Sequence, residues 1–435
     1  MGQGVSGIAL AMTGDSREIE SLAALTQSGC EVSHRCRDVA EVLGLARAGR
    51  LTLVVTSPVL AWDAELIAQL RECAVSCIAV VHGDSEEQRW RALGAAATVD
   101  VSRSGWPDRM GTAVRRVLTE PVVDASGAEV VALSARTARS GSMPRGRPPS
   151  GQLVAIWGPI GSPGRSELAT ALAQAWGARG ARVLLIDADT YGASLHHRFA
   201  LSDVLGCGLL EACRAARHGR LTAEVLVACS RKVAPHVAVL PGVINPARWA
   251  EVGAAALDVV WEQARQVSDV VVVDTGFCLE QDPSDAAITQ VTGHRNIATI
   301  SALCEADAIV AVGRTSALDL ERLARGVEQL RESVGVEPRV VVANRAAGRG
   351  RRTAAAAEVE RVLALVGPVP RVIAVPDRRD ASYTETVLEL ARCVVPDDAW
   401  PVEESAGLAP PSASSRRRVL PKVARSPKRT KPAPT

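Results

Sequence analysis

The stretch Leu153–Leu195, LVAIWGPIGSPGRSELATALAQAWGARGARVLLIDADTYGASL, decides the fold. Val154-Ala155-Ile156-Trp157 is a short apolar run that stops at Gly158, as a strand buried on both faces does. Gly158, Gly161 and Gly164 then permit a turn with positive φ. From Ser166 onward, Leu168, Leu172, Ala175 and Trp176 recur at the spacing of one helix face, and Gly177 and Gly180 end the helix. Val183-Leu184-Leu185-Ile186 is the next strand, and it runs into Asp187 and Asp189. The stretch reads as a βαβ unit whose first turn has the shape of a phosphate-binding loop.

The standard loop, G-x-x-x-x-G-K-[ST], cradles phosphate with backbone N–H groups, reaches it with a Lys and holds Mg²⁺ with a hydroxyl. Here the loop ends Gly164-Arg165-Ser166, so the hydroxyl is present and the Lys is an Arg; the leading Gly is Pro159, with Gly158 one place early. The pattern alone therefore fails, and the order of motifs along the chain has to carry the reading. The loop, the strand end Asp187-Ala188-Asp189 and the later strand Val270-Val271-Val272-Val273-Asp274 follow one another as in the MinD/ParA family of deviant P-loop ATPases, which the chain resembles. The deviant loop of that family, K-G-G-V-G-K-T, aligns with Ile160-Gly161-Ser162-Pro163-Gly164-Arg165-Ser166. GPIGSPGRSELA followed by VLLIDADTYGASL resembles more closely the actinobacterial CpaE-like branch, which includes septum site-determining proteins. The resemblance spans roughly Gln152 to Cys393 and, more loosely, the N-terminal third.

The resemblance implies ATP or ADP with Mg²⁺ as cofactors. Gly161, Ser162, Gly164, Arg165, Ser166 and Glu167 would face the phosphates, with Ser166 on the metal, Asp274 behind it and Asp187 nearby. Asp189 would position the attacking water, and Asn344 and Asp377 would lie near the adenine. Four departures oppose turnover. Ile160 stands where the family's signature Lys reaches across a nucleotide-sandwiched dimer, and Pro163 removes one N–H from the phosphate nest. Arg165 is a wider, planar cation than Lys, and Glu167 brings negative charge where an α-phosphate would lie. Phosphoryl transfer depends on positioning and charge neutralisation, so these changes should hurt hydrolysis more than binding. A plainer reading stands beside this one: Ser166 and Glu167 compensate a helix dipole, and Gly-Ser-Pro-Gly is ordinary turn chemistry.

The function the resemblance implies is a nucleotide-binding regulator of septum placement and cell division with weak or no ATP hydrolysis. The alternative is a CpaE-like ATPase that localises a Tad-type pilus or secretion apparatus. Either implies protein partners from the division or pilus machinery, and a homodimer.

Composition narrows the remaining classes. Fifty basic side chains against 48 acidic ones leave a net charge of +2 over 435 residues, which gives no global field for nucleic acid. Apolar residues make up 47% but aromatics only 3%, so Ala, Val and Leu must fill the cores. No apolar run reaches the ~18 residues of a membrane span, and MGQGVSGIAL lacks the basic start of a signal peptide; a cytoplasmic protein, peripheral at most at the inner membrane face or septum, is expected. The ten cysteines form no C-x-x-C pair, and the seven histidines show no ligand spacing, so neither a metal site nor a disulfide framework is expected. His196-His197 read as solvated loop residues.

Along the whole chain, four regions are expected. Residues 1–120 alternate short apolar strands with helices, five βα repeats that predict a flavodoxin-like domain. CpaE-like proteins carry a pseudo-receiver there, and the third strand, ending Val55-Thr56-Ser57-Pro58, lacks the carboxylate a working receiver phosphorylates; docking is the better reading. Residues 121–151, rich in Ser, Gly, Pro and Arg, read as a linker. Residues 152–400 read as a mostly parallel, doubly wound P-loop NTPase-like sheet, with a long helix from Trp249 to Gln266, one from His294 to Leu303 and another from Leu318 to Val334. Residues 401–435 form a Pro-rich tail with eight Lys or Arg between Arg416 and Lys431, expected to be disordered. That tail reads equally as a solubiliser or as a weak, salt-sensitive contact for anionic membrane surface or nucleic acid.

Overall fold

Short runs of β-branched residues separated by amphipathic segments produce two parallel sheets in this computed structural model. It describes residues 7–119, 151–161, 163–202, 204, 206–281, 294–346, 349–377 and 380–396. The expected linker up to residue 150, Ser162 and the basic tail lie outside the described residues.

The N-terminal sheet is built from β1 (Gly7–Ala11), β2 (Val32–Arg35), β3 (Leu51–Thr56), β4 (Ser76–Val81) and β5 (Ala97–Asp100). All pairs are parallel, and the order is β2-β1-β3-β4-β5, that of the flavodoxin-like doubly wound fold. Alternation along the strands sorts side chains to two faces. Ile8, Leu10, Leu53, Val55 and Ile78 pack under α1 (Glu18–Gln27) and α5 (Trp106–Thr119). Ala9, Ala11, Val54, Cys77 and Ala79 pack under α2 (Val39–Arg47), α3 (Ala64–Glu72) and α4 (Asp84–Leu93).

The second sheet has eight strands in the order β13-β12-β11-β6-β10-β7-β9-β8. In chain order, β6 (Gln152–Trp157), α6 (Arg165–Gly177) and β7 (Val183–Ala188) form the anticipated βαβ unit. Leu168, Leu172 and Trp176 of α6 are buried against Val154 and Ile156, as their spacing predicts. Next come α7 (Leu195–Arg198), α8 (Leu209–Arg217), α9 (Ala223–Cys229), β8 (Arg231–Ala234) and β9 (Val237–Leu240). Then follow α10 (Ala254–Val267), β10 (Val270–Thr275), α11 (Ile297–Glu305), β11 (Ala308–Gly313), α12 (Ala317–Gln329) and β12 (Val340–Ala346). The described part closes with α13 (Arg349–Leu363), β13 (Arg371–Pro376) and α14 (Ala381–Val394). Only the edge strand β8 runs antiparallel among the described strands.

Three expectations need correction. The helix read as Trp249–Gln266 is two elements: a 3₁₀ turn, Pro246–Glu251, and α10, separated by extended backbone at Val252 and Gly253. The helix read from His294 starts at Ile297, after Asn296. His196 is buried on α7 with its ring tilted against that of His197, centroids 4.0 Å apart, and burial pushes its imidazole below the usual histidine range. The segment read as one helix from Leu318 to Val334 is helical throughout, with its last turn, Leu330–Val334, widened to a π turn that Gly335 closes at φ +73°.

This topology positions a site. β6 sits centrally; the chain moves to one side through β7 and to the other through β11, so the strand order reverses next to β6. In doubly wound sheets the crevice for ligands opens at such a reversal, beyond the carboxyl ends of the strands.

Candidate functional site

Four strand ends meet at that crevice. β6 delivers the loop Gly158–Gly164, β7 delivers Asp187 and Asp189, β10 delivers Asp274, and β12 delivers Asn344. The loop needs its glycines for distinct reasons. A Cβ on Gly158 would lie 2.3 Å from the carbonyl oxygen of Val312 on the neighbouring strand. Gly161 and Gly164 adopt φ +116° and +101°, the left-handed region that side chains avoid, and Gly164 also abuts Asn344. Asn344 is buried, and its Nδ2 donates to the carbonyl oxygen of Pro163 at 2.7 Å, tying the loop to β12.

The carboxylates are held very differently from one another. Asp187 is fully buried; its Oδ2 accepts from the backbone N–H groups of Ser194 and Leu195 at 2.8 and 3.0 Å. Asp189 accepts from the N–H groups of Tyr191 and Gly192 at 2.9 and 3.0 Å, and its other oxygen lies 3.5 Å from Nη2 of Arg165. Asp274 is 1% exposed, and neither of its carboxylate oxygens has a hydrogen-bond partner. Burial, then the neighbouring Asp187 charge, pushes the Asp274 carboxyl up to about 8, although the nearby Ser166 hydroxyl and the Arg165 charge pull it down. Burial and the Asp189 charge raise Asp187 in the same sense, against the pull of its backbone donors.

Cations and hydroxyls face these acids. Arg165 folds over the loop, its Nη1 donating to the carbonyl oxygens of Gly158 and Pro159 at 3.0 and 3.3 Å, while its buried Nε finds no acceptor. The Ser166 hydroxyl, in the first turn of α6, lies 3.3 Å from that of Ser194. Glu167 reaches Nη2 of Arg345 at 3.4 Å, and Arg345 itself takes φ +59° immediately after Asn344. Together these groups border an open cleft of about 510 Å³.

Gly161, Gly164, Arg165, Ser166, Glu167 and Asp189 line the cleft. Asp187 and Asp274 lie beneath it, buried; Asn344 touches the loop from behind. Asp377 is exposed at the end of β13, its N–H 3.4 Å from the carbonyl oxygen of Ala346, and does not line the cleft. Ser162 lies outside the described residues.

The cleft also contains residues that the sequence reading passed over: Tyr191, Ser194, Arg198, Phe277 and Arg345. Tyr191 is fixed on three sides. Its hydroxyl donates to Oδ1 of Asn296 at 2.8 Å, its ring meets Phe277 at 5.1 Å, and the Arg295 guanidinium covers its face at 4.0 Å. The available signal was position, since Tyr191 and Ser194 follow Asp189 on the same strand-end turn. Among the described residues, no group of three or more His, Cys, Asp or Glu side chains is arranged to hold a metal ion by itself.

Residues 154–382 match the CbiA family, the CobQ/CobB/MinD/ParA nucleotide binding domain. Solved structures similar to the chain include the septum site-determining protein MinD of Pyrococcus horikoshii complexed with Mg-ADP, at 16% identity and TM-score 0.41 over 55% of this chain and 94% of that one. Cobyrinic acid a,c-diamide synthase of Mycobacterium smegmatis with bound ADP and magnesium is 17% identical, TM-score 0.42, over 55% and 92%. A ParA family ATPase of Chlorobium tepidum is 15% identical, TM-score 0.43, over 56% and 98%. No curated protein matches the chain. The family match covers more than half of the chain and contains the loop, the strand-end acids and the cleft, and the chain belongs to the CobQ/CobB/MinD/ParA nucleotide binding domain family.

Proposed function

We propose that the cleft binds a nucleoside di- or triphosphate with Mg²⁺, and that the protein is a MinD/ParA-like regulator in septum site determination and cell division with weak or no hydrolysis. One observation carries the binding half: Asp274 is a buried carboxylate with both oxygens unpartnered, beneath a phosphate-type loop. A group left in that state costs free energy until a cation arrives. Mg²⁺ is an ion usually held by one or two protein oxygens plus phosphates, and among the described residues no acidic cluster is arranged to cage a metal unaided.

Ser166 would hold the ion, with Asp274 behind it, and the ion would neutralise phosphate charge. The chain's own residues do the rest. The amides of the loop and of the first turn of α6 orient the phosphates, Arg165 and Arg345 supply positive charge at the rim, and Asp189, fixed by the Tyr191 and Gly192 amides, holds a water. Turnover is poorly supported. Pro163 offers no N–H, the Glu167 carboxylate lines the phosphate end of the cleft, and Ile160 places an apolar side chain, 56% exposed, where the family's cation would reach a partner subunit. A homodimer closing on this face would meet an aliphatic contact there.

The alternative is a CpaE-like protein localising a Tad-type pilus or secretion apparatus. It is favoured by the N-terminal β2-β1-β3-β4-β5 sheet, whose third strand ends without a carboxylate and so suits docking rather than phosphorylation. In this reading the chain divides into a pseudo-receiver (1–120), a linker (121–151), the P-loop domain (152–400) and a basic tail (401–435). Among the described residues no helix is long and apolar enough to cross a membrane, and we place the protein in the cytoplasm, peripheral at the inner membrane face or septum.

The test is calorimetric titration of the full chain with ATP and ADP in Mg²⁺, beside a phosphate-release assay. Micromolar binding with negligible release is expected. Release abolished by Asp189→Ala would convert the reading to an active ATPase, and absence of binding up to millimolar nucleotide would overturn it.

A further inference from the structure

The described contacts between the two sheets' helices fall on helix ends, and their charges match. Helix α10 begins at Gly253, which carries no side chain to cap it. The cap comes from the other domain: Oε1 of Glu65, on α3, accepts from the backbone N–H of Ala256 at 3.0 Å. Glu65 is only 5% exposed. Burial pushes its carboxyl above the usual range, and the amides of Ala256 and Ala255 pull it back. At the opposite pole, α8 ends at His218, and Nε of Arg89, on α4, donates to the His218 carbonyl oxygen at 3.2 Å. A carboxylate thus meets a helix N-terminus and a guanidinium meets a helix C-terminus, the arrangement the helix dipoles favour. Asp63, which caps α3, adds a longer approach, 3.8 Å, to Arg217 at the end of α8.

The receiving surface is shaped for this contact. A Cβ on Gly253 would lie 2.1 Å from Oε1 of Glu65, although the backbone there, φ −105° and ψ 157°, suits any residue. A Cβ on Gly219 would lie 2.7 Å from the carbonyl oxygen of Arg89. Ala255 packs against the cluster that contains Trp62, Ala64 and Ile67 of the N-terminal domain. Two glycines thus leave room for groups of another domain.

We propose that the N-terminal domain is a built-in partner of the P-loop domain, docked on the ends of α8 and α10 through Arg89 and Glu65, rather than a module held only by its tether. The occupant of this surface on the second domain is the first domain of the same chain. The proposal does not depend on any nucleotide being bound.

The test uses the full chain and the steric match at Gly253. Gly253→Ala should lower the thermal midpoint and raise hydrogen exchange of the Ala255–Leu257 amides about tenfold, the scale of losing a helix cap. Introduced into Glu65→Ala, the same substitution should have no further effect, because the atom it collides with is gone. Glu65→Gln, whose carbonyl still accepts, should keep most of the protection. Tolerance of Gly253→Ala with Glu65 in place, or additive effects in the double variant, would overturn the docking. Should Glu65→Ala not fold, Glu65→Ser, which also lacks the colliding atoms, replaces it: a smaller Gly253→Ala effect in that background supports the contact, and an unchanged effect contradicts it. Arg89→Ala should raise exchange at the end of α8, and an unchanged rate there would remove that half of the clamp.

Discussion

The crests of the two sheets show what separates a scaffold from a site. Both are doubly wound, and both gather acids at the carboxyl ends of their strands. At the first, the strand-end acids Asp15 and Asp100 are satisfied locally. Asp100 accepts from the Gly83 N–H, the Ser102 N–H and the Ser102 hydroxyl, and pairs with Arg103 at 3.0 Å. Asp15 accepts from the Arg17 N–H at 2.9 Å. The end of β3 is sealed by neutral bonds, the Trp62 indole donating to the Thr56 hydroxyl, which donates to the Ala11 carbonyl oxygen. At the second, Asp274 is buried beside Asp187 with neither of its oxygens partnered. One fold class thus yields a closed surface and a buried carboxyl without a hydrogen-bond partner, according to whether the strand-end acids find donors within the chain.

The largest expected effect breaks the contrast outright. Asp274→Asn removes a carboxyl that burial holds protonated near neutral pH; it should weaken Mg²⁺-nucleotide binding at least tenfold, while stabilising the ligand-free chain chiefly above about pH 8, where the buried charge would otherwise have to form. Paired calorimetry and thermal melts read both. The pH response should also differ between the crests. Asp274 and Asp187 are raised, so their contribution to ligand-free stability is fullest below the ordinary carboxylate value and is lost as pH rises through their folded values. Asp100 is lowered, first by the Ser102 hydroxyl, so its contribution is present above the ordinary value and is lost only as pH falls through the folded one. Urea melts across pH should show the first slope flatten in Asp274→Asn and persist in Asp100→Asn.

Next in size is the loop. Gly164→Ala combines φ +101° with a Cβ 2.3 Å from Nδ2 of Asn344, and a cost of roughly 2 kcal/mol is expected in denaturant melts. Smallest is Arg345→Ala. Its pair with Glu167 is half exposed, so stability should move by less than about 0.5 kcal/mol, whereas nucleotide affinity should drop a few-fold if the Arg345 cation serves the rim.

The sequence made the P-loop unit legible because strand period, glycine turn and helix period follow one another within Leu153–Leu195, where local rules suffice. Asp187, Asp189 and Asp274 were legible for a related reason: an acid ending an apolar run must stand at a strand end. The break at Val252-Gly253 was hidden, because the Ala-rich run keeps helical spacing through it and the reason for a glycine there, Glu65, lies in another domain. Asn344 was singled out as an adenine neighbour, yet its amide is committed to Pro163, a contact across 181 residues that no local pattern encodes. Arg345 and Tyr191 went unread because their roles depend on how neighbouring strand ends are juxtaposed.

The central claim is that the buried carboxyl of Asp274 is a receptor for a cation brought with phosphate, ionising as the cation arrives. The direct measurement is ADP binding to the full chain, with and without Mg²⁺, in buffers of different ionisation enthalpy. The account expects tight binding only with Mg²⁺, release of a proton on binding because the raised Asp274–Asp187 pair must give one up, and loss of both effects in Asp274→Asn. Binding indifferent to Mg²⁺, with no proton released and no change in the variant, would contradict it.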